Sequence, residues 1–138
     1  MLRIEITTPD RTVYEGEVDA ITLPTAEGEI TVLTGHIPLI GVVVPGTIVV
    51  RKGTEEQIIA VSRGVVEVQP TSVRILADTA DRAEELEEAA VEKAKAAAEK
   101  LMSEKRQDEE GLADASAILG RELARLQTIR RHRGKRRG

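Results

Sequence analysis

A chain of 138 residues with 41% hydrophobic residues and a net charge of −4 has room for one ordinary domain, or for a small domain with an appendage, and can bury a core. Only 1% is aromatic, a single tyrosine (Tyr14) with no Phe or Trp, so the core must be Val, Ile, Leu and Ala, and base-stacking platforms are nearly excluded. The absence of cysteine excludes a disulfide framework and thiolate metal sites and suits a soluble chain in a reducing compartment; no stretch approaches the roughly 20 apolar residues of a membrane span.

Up to about residue 77 the chain reads in short alternating runs: "LRIEI", "RTVYEGEV", "DAITLP", "EITVL", "GTIVVRK", "EEQIIAVS", "VVEVQP" and "SVRILA". Each is rich in β-branched side chains and bounded by Gly, Pro, Asp or Thr, as strands are. In the first run Leu2, Ile4 and Ile6 face one way while Arg3 and Glu5 face the other. Turn signals such as "EGE", "PGT" and "KGT" separate the runs and leave no room for crossover helices. The pattern predicts an antiparallel β-sandwich or flattened barrel and argues against a parallel α/β fold.

From "LADTADRAEELEEAAVEKAKAAAEKLM" the period changes, and Ala83, Leu86, Ala90, Ala94, Ala97 and Leu101 recur as one stripe of a helix. Asp78 or Thr79 is expected to cap it, with Asp81, Glu84 and Glu85 at the positive end of its dipole. After "SEKRQDEEG", Leu112, Ala115, Leu119, Leu123, Leu126 and Ile129 define a second stripe. Two amphipathic helices joined by a short polar loop fold back as an antiparallel hairpin. Its alanine-rich first stripe buries little area, at roughly 25 cal/mol per Å², so the hairpin is expected to be weakly held. The chain therefore divides into a sandwich over residues 1–78, a helical hairpin over 79–133 and a basic tail over 134–138, expected to be disordered.

The sites weigh against catalysis. His36 has no serine or cysteine nucleophile motif around it, and the other histidine, His132, lies in the basic end, so neither a triad nor a metal cluster is readable. Loop shape or surface contact is the expectation for His36, between Gly35 and Pro38. The glycines fit neither phosphate-loop pattern and read as turns. The last ten residues, "IRRHRGKRRG", carry six basic side chains and no acid. Phosphates or an acidic protein surface would each suit them.

Taken in order, these segments resemble one family. "TPDRTVYEGEVDAITLPTAEGEITVLTGHIPLIGVVVPGTI" is similar to the pattern x-P-D/E-x-x-V-Y/F-x-G, E-G-E, G-H-x-P-L and P-G of the epsilon subunit of the F-type ATP synthase. "AVSRGVVEVQPTSVRILADTADRAEEL" is similar to its S-x-G-x-x-E-V-x-P-x-x-V-x-I-L-A-D-x-A segment. The likeness runs from Ile4 to about Arg131; each motif is short, and their order and spacing carry the resemblance.

The resemblance implies a non-catalytic subunit of the central stalk. It would bind the gamma subunit, rest its sandwich on the c-ring through a loop bearing Glu29 and His36, and sit at the cytoplasmic side of the bacterial inner membrane, held there only by way of the complex. The hairpin would be a regulatory arm that packs on the sandwich or extends into the alpha/beta hexamer and inhibits ATP hydrolysis. Arg121, Arg125, Arg130, Arg131 and Arg133 would supply its charge for that contact. Some members bind ATP on the folded hairpin through a motif of the form Ile/Leu-Asp-x-x-Arg-Ala. Here "LEEAAV" (86–91) puts Glu87 at the aspartate, Ala90 at the arginine and Val91 at the alanine, while Asp81, Arg121 and Arg125 keep related positions. Loss of the arginine removes a fixed charge and its donors, so no cofactor is expected, and ATP is not expected as a useful regulatory ligand. A free-standing adaptor or nucleotide sensor of the same two-part architecture is the alternative; a nucleic-acid partner for residues 130–138 is the third reading, and the resemblance implies none.

Overall fold

A computed structural model describes residues 1–137, with side chains described through residue 134; Gly138 lies outside the described residues. The strands are β1 (Leu2–Thr7), β2 (Thr12–Val18), β3 (Ala20–Thr25), β4 (Gly28–Leu33), β5 (Leu39–Val43), β6 (Gly46–Lys52), β7 (Glu55–Val61), β8 (Gly64–Gln69), β9 (Ser72–Ala77) and β10 (Ala80–Arg82). A 3₁₀ turn (Ala83–Glu85) leads to α1 (Glu88–Glu104) and α2 (Glu109–Arg137).

The strands run in the order β10-β7-β6-β3-β5-β8-β9-β1-β2, with β4 on β3. The paired register between β3 and β5 is Thr25 with Val43 alone, and there the sheet folds over into two layers. Contacts of β2 with β6 and β10 nearly close the other side. Leu2, Ile4 and Ile6 of one layer meet Ile21, Ile48 and Ile59 of the other in a single buried cluster, all with 0% exposure. The alternation read in β1 is thus what makes the core. One ladder departs from the antiparallel expectation: β1 lies parallel to β9, with Ile4 opposite Val73 and Ile6 opposite Ile75. β1 inserts between β9 and its own hairpin partner β2, and a pairing across that sequence distance has no short turn to force antiparallel order.

The boundary between the halves falls later than residue 78. Residues 80–82 pair with β7 as β10, so their backbone groups are satisfied by a sheet and not by a first helical turn. Asp78 and Thr79 accordingly cap no helix. Asp78 accepts from Arg63 Nε at 3.0 Å, and the Thr79 amide donates to Ser62 Oγ at 2.8 Å. α1 starts at Glu88, and its buried residues are Val91 and Ala98, one position beyond the expected Ala90 and Ala97, which are exposed. That rotation puts the larger Val91 against Leu126 and Ile129 of α2. In α2 the buried positions are Ala115, Glu122, Ala124, Leu126, Thr128 and Ile129, whereas Leu123 is 46% exposed. The tail expected to be disordered continues α2 as far as Arg137.

Candidate functional site

α2 lies between α1 and the outer face of β6 and β7. Val49, Ile58 and Ala60 point outward from that layer and are buried, while Ile48, Val50 and Ile59 belong to the core inside. The hairpin's own cluster of Val91, Leu126 and Ile129, with Leu86 packed on it, is separate from the sandwich cluster. The apolar contact of Val49, Ile58 and Ala60 with α2 is joined by polar ones. Thr47 Oγ1 of β6 lies 2.8 Å from Thr128 Oγ1, which also donates to the Ala124 carbonyl at 2.9 Å.

Beside this contact stands a chain of charges. Arg125 donates to Asp81 Oδ2 from Nε at 3.0 Å and from Nη2 at 2.8 Å, and to Glu122 Oε1 from Nη1 at 2.8 Å. Arg121 Nε donates to the same Glu122 oxygen at 3.1 Å. Glu122 is 1% exposed, and its other oxygen, Oε2, has no hydrogen-bond partner among the described residues. On the sandwich side Arg11 Nη2 lies 3.7 Å from Asp81 Oδ1, while its Nη1 donates to Glu85 Oε2 at 2.9 Å. Hydrogen bonding to Arg11 holds the Glu85 carboxyl below its ordinary pKa against the opposing effect of burial, and raises that of Arg11 in turn.

The residues expected to bind ATP are only partly assembled. Asp81 and Arg121 are linked only through Arg125 and Glu122, and Glu87 is exposed at the start of α1, with no side-chain capping bond. Of the basic residues expected to meet an acidic partner, Arg121 and Arg125 are engaged as above. Arg130 lies 3.9 Å from Glu92, Arg133 pairs with Glu88, and Arg131 is exposed with no ion pair among the described residues.

Glu29 and His36 do not share a loop. Glu29 sits in β4 opposite Pro24, beside the β3–β4 turn, whereas His36 follows the far end of β4; at about 3.3 Å per residue the strand holds them on the order of 15 Å apart. His36 Nδ1 lies 2.7 Å from the Ile37 carbonyl, which engages one ring nitrogen, and its amide donates to the Leu33 carbonyl at 3.1 Å, which closes the turn. Gly35 takes φ +91° there, a conformation L side chains rarely adopt, and donates to the Pro70 carbonyl at 2.6 Å. Both Glu29 and the turn face solvent.

Sequence reasoning missed a second surface. Val42, Val65 and Leu76 stand opposite one another on β5, β8 and β9, each about half exposed, and Ile40 beside them is 82% exposed. They leave an exposed apolar strip on the outer face of this layer, with Glu67 and Arg74 beside it, on the side away from α2. β5 itself was missed because Ile40 and Val42 point outward, while only Leu39 and Val43 reach the core.

Among the described residues no group of His, Asp or Glu could hold a metal ion, and no helix is long and apolar enough to cross a membrane. A cavity of about 460 Å³ lies between α2 and the sandwich, lined by Pro45, Ser62, Arg63, Ala117, Gly120 and Arg121 among others.

Residues 1–83 match the family model of the ATP synthase delta/epsilon chain beta-sandwich domain. The chain is 40% identical to the ATP synthase epsilon chain of Herpetosiphon aurantiacus over 134 residues, covering 97% of this chain and 98% of that protein. It is 37% identical to the ATP synthase epsilon chain of Neisseria meningitidis over 131 residues, covering 94% and 93%. Its fold is similar to that of a chain in the cryo-EM structure of the Euglena gracilis mitochondrial ATP synthase, OSCP/F1/c-ring. The TM-score there is 0.77 at 25% identity, over 89% of this chain and 78% of that one.

Proposed function

The chain belongs to the ATP synthase epsilon-chain family, and from that premise we propose that its sandwich joins the rotor while its hairpin regulates ATP hydrolysis without doing chemistry itself. The sandwich binds the gamma subunit through the bare apolar face of β5, β8 and β9, because an unpartnered strip across three adjacent strands is what a protein interface needs. The polar β3–β4 turn with Glu29 meets the polar loops of the c-ring. His36, flanked by exposed Leu33 and Ile37, sits with the gamma contact and shapes its turn. The complex holds the chain at the cytoplasmic side of the bacterial inner membrane.

One observation carries the regulatory half: the hairpin's apolar cluster is separate from the core it rests on, so α2 can leave without opening the sandwich. Released, it offers Arg121, Arg125, Arg130, Arg131 and Arg133 to acidic surface on the alpha/beta subunits. ATP has no part in holding it down, since the two arginines nearest the expected site are already paired with carboxylates of the chain.

The chain has no cysteine, and a Cβ built at Gly120 lies 4.0 Å from Pro45 Cβ, within the span of a disulfide. Pro45→Cys with Gly120→Cys would therefore clamp α2 to the sandwich reversibly. Reconstituted with an alpha/beta/gamma core, the reduced protein should inhibit ATP hydrolysis and the oxidised one should not, with gamma binding equal in both. Equal inhibition in the two redox states would end the regulatory reading.

A further inference from the structure

The arginines that would serve an outside partner are, in the folded hairpin, occupied by acids of the same chain. We propose that buried Glu122, together with Asp81, is a built-in acidic counterpart for Arg121 and Arg125, so that the folded hairpin locks itself and needs no bound anion. This deepens the regulatory reading given above and rests on it.

Three observations carry the inference. Glu122 is 1% exposed and takes both arginines on one oxygen, at 3.1 and 2.8 Å; all three side chains belong to α2, so these bonds neutralise and orient the arginines within the helix. Asp81 belongs to β10, so the two bonds from Arg125 to its Oδ2 tie α2 directly to the sandwich. Glu122 Oε2 has no partner among the described residues, and a buried carboxylate oxygen left so is a cost that the folded state carries. The lock is therefore specific but incompletely satisfied, and in the extended arm water can reach that oxygen. Further along α2, Arg133 with Glu88 and Arg130 with Glu92 repeat the arrangement between the helices. An acidic partner must then compete with internal carboxylates at four arginines, which sets a threshold for release.

The test uses the full chain with spin labels at Lys52→Cys and Ser103→Cys, both exposed positions, one on the sandwich and one on α1. The parent should give a single, narrow distance population. Glu122→Gln should raise the released population at least fivefold. Asp81→Asn, a change at the sandwich edge, should do the same and guards against a packing fault in α2. Addition of ATP should leave the parent's distances and melting temperature unchanged. Labels that stay put in both variants overturn the lock, whatever the hydrolysis assay gives, and so does ATP raising the parent's melting temperature. Release in both variants with no change in inhibition of an alpha/beta/gamma core keeps the lock and removes the inhibitory reading instead.

Discussion

Arg125 and Asp81, 44 residues apart in the chain, are joined by two hydrogen bonds onto one carboxylate oxygen, at 3.0 and 2.8 Å. Their side chains are 21% and 24% exposed, so the pair is neither a solvated surface bridge nor a fully buried one. A double-mutant cycle of Asp81→Asn and Arg125→Gln should give a coupling energy of about 1–2 kcal/mol. The readout is native-state hydrogen exchange of α2 amides, because that free energy concerns undocking of the helix. The core strands should keep their protection. A coupling near zero would mean that the apolar contacts alone hold α2.

Gly64 opens β8 opposite Ala77, and a Cβ there would lie 2.2 Å from the Leu76 carbonyl oxygen and 2.8 Å from Ala77 Cα. Both are backbone atoms, which cannot swing aside. Gly64→Ala should therefore cost about 2–3 kcal/mol, or roughly 10 °C in melting temperature, by forcing β8 and β9 apart. This gives a steric reason for the glycine of the "SRG" motif. Thermal unfolding followed by circular dichroism measures it, and a change under about 2 °C would contradict the close approach.

Gly120 invites the opposite outcome. It lies inside an unbroken α2, and a Cβ there would meet Pro45 Cγ at 3.7 Å, an ordinary van der Waals contact. The geometry demands a glycine here neither for close packing nor for a bend. Gly120→Ala should stabilise α2 by up to about 1 kcal/mol, seen as slower hydrogen exchange across residues 113–125. Destabilisation would show that α2 sits closer to the sandwich than this contact allows.

Much of this architecture was legible in the sequence, for identifiable reasons. Alternation in β1, β8 and β9 is unambiguous because each has one face in the core, as Leu2, Ile4 and Ile6 show. β5 was hidden because Ile40 and Val42 face out and Gly41 lies between them, which inverts the usual apolar-in pattern. β10 was hidden because "ADR" has good helical flanks and becomes a strand only by pairing with β7. In α2 the sequence held a better signal than the stripe read from it. Ala115, Leu119, Glu122, Leu126 and Ile129 follow strict four-three spacing, which puts Glu122 on the buried face and Leu123 off it. A charge on that face asks for a partner, and Arg125 was already in view; Asp81 was not, since nothing local connects β10 with α2.

The Arg11–Glu85 pair predicts a pH dependence whose sign follows from the lowered Glu85 pKa. A carboxyl with a folded pKa below its unfolded one stabilises fully above the unfolded value, near 4.3, and loses that contribution as pH falls through the folded value. Glu85 is 39% exposed, so solvent screening keeps the effect small and salt should reduce it. Melting temperatures of the parent and of Glu85→Gln should differ at pH 7 and converge by about pH 3. A gap that widens on acidification would reverse the assigned direction.

The bare apolar face gives the test of partner binding that is cleanest in fold terms. Ile40 is 82% exposed and pairs across the ladder with Glu67, so Ile40→Asp removes no core contact and should cost only about 1 kcal/mol, from the like charge opposite and the poorer strand propensity. Buried against a partner, the same aspartate would be a desolvated charge facing apolar surface, which costs binding far more than it costs folding. Affinity for the gamma subunit should drop at least about tenfold, mostly through faster dissociation. Glu29→Gln, on the other edge of the sandwich, should leave gamma affinity unaltered and serves as the matched control. Equal losses in the two variants would mean that the gamma subunit engages the β3–β4 edge as well, and unaltered binding by Ile40→Asp would remove the β5–β8–β9 face from the rotor contact.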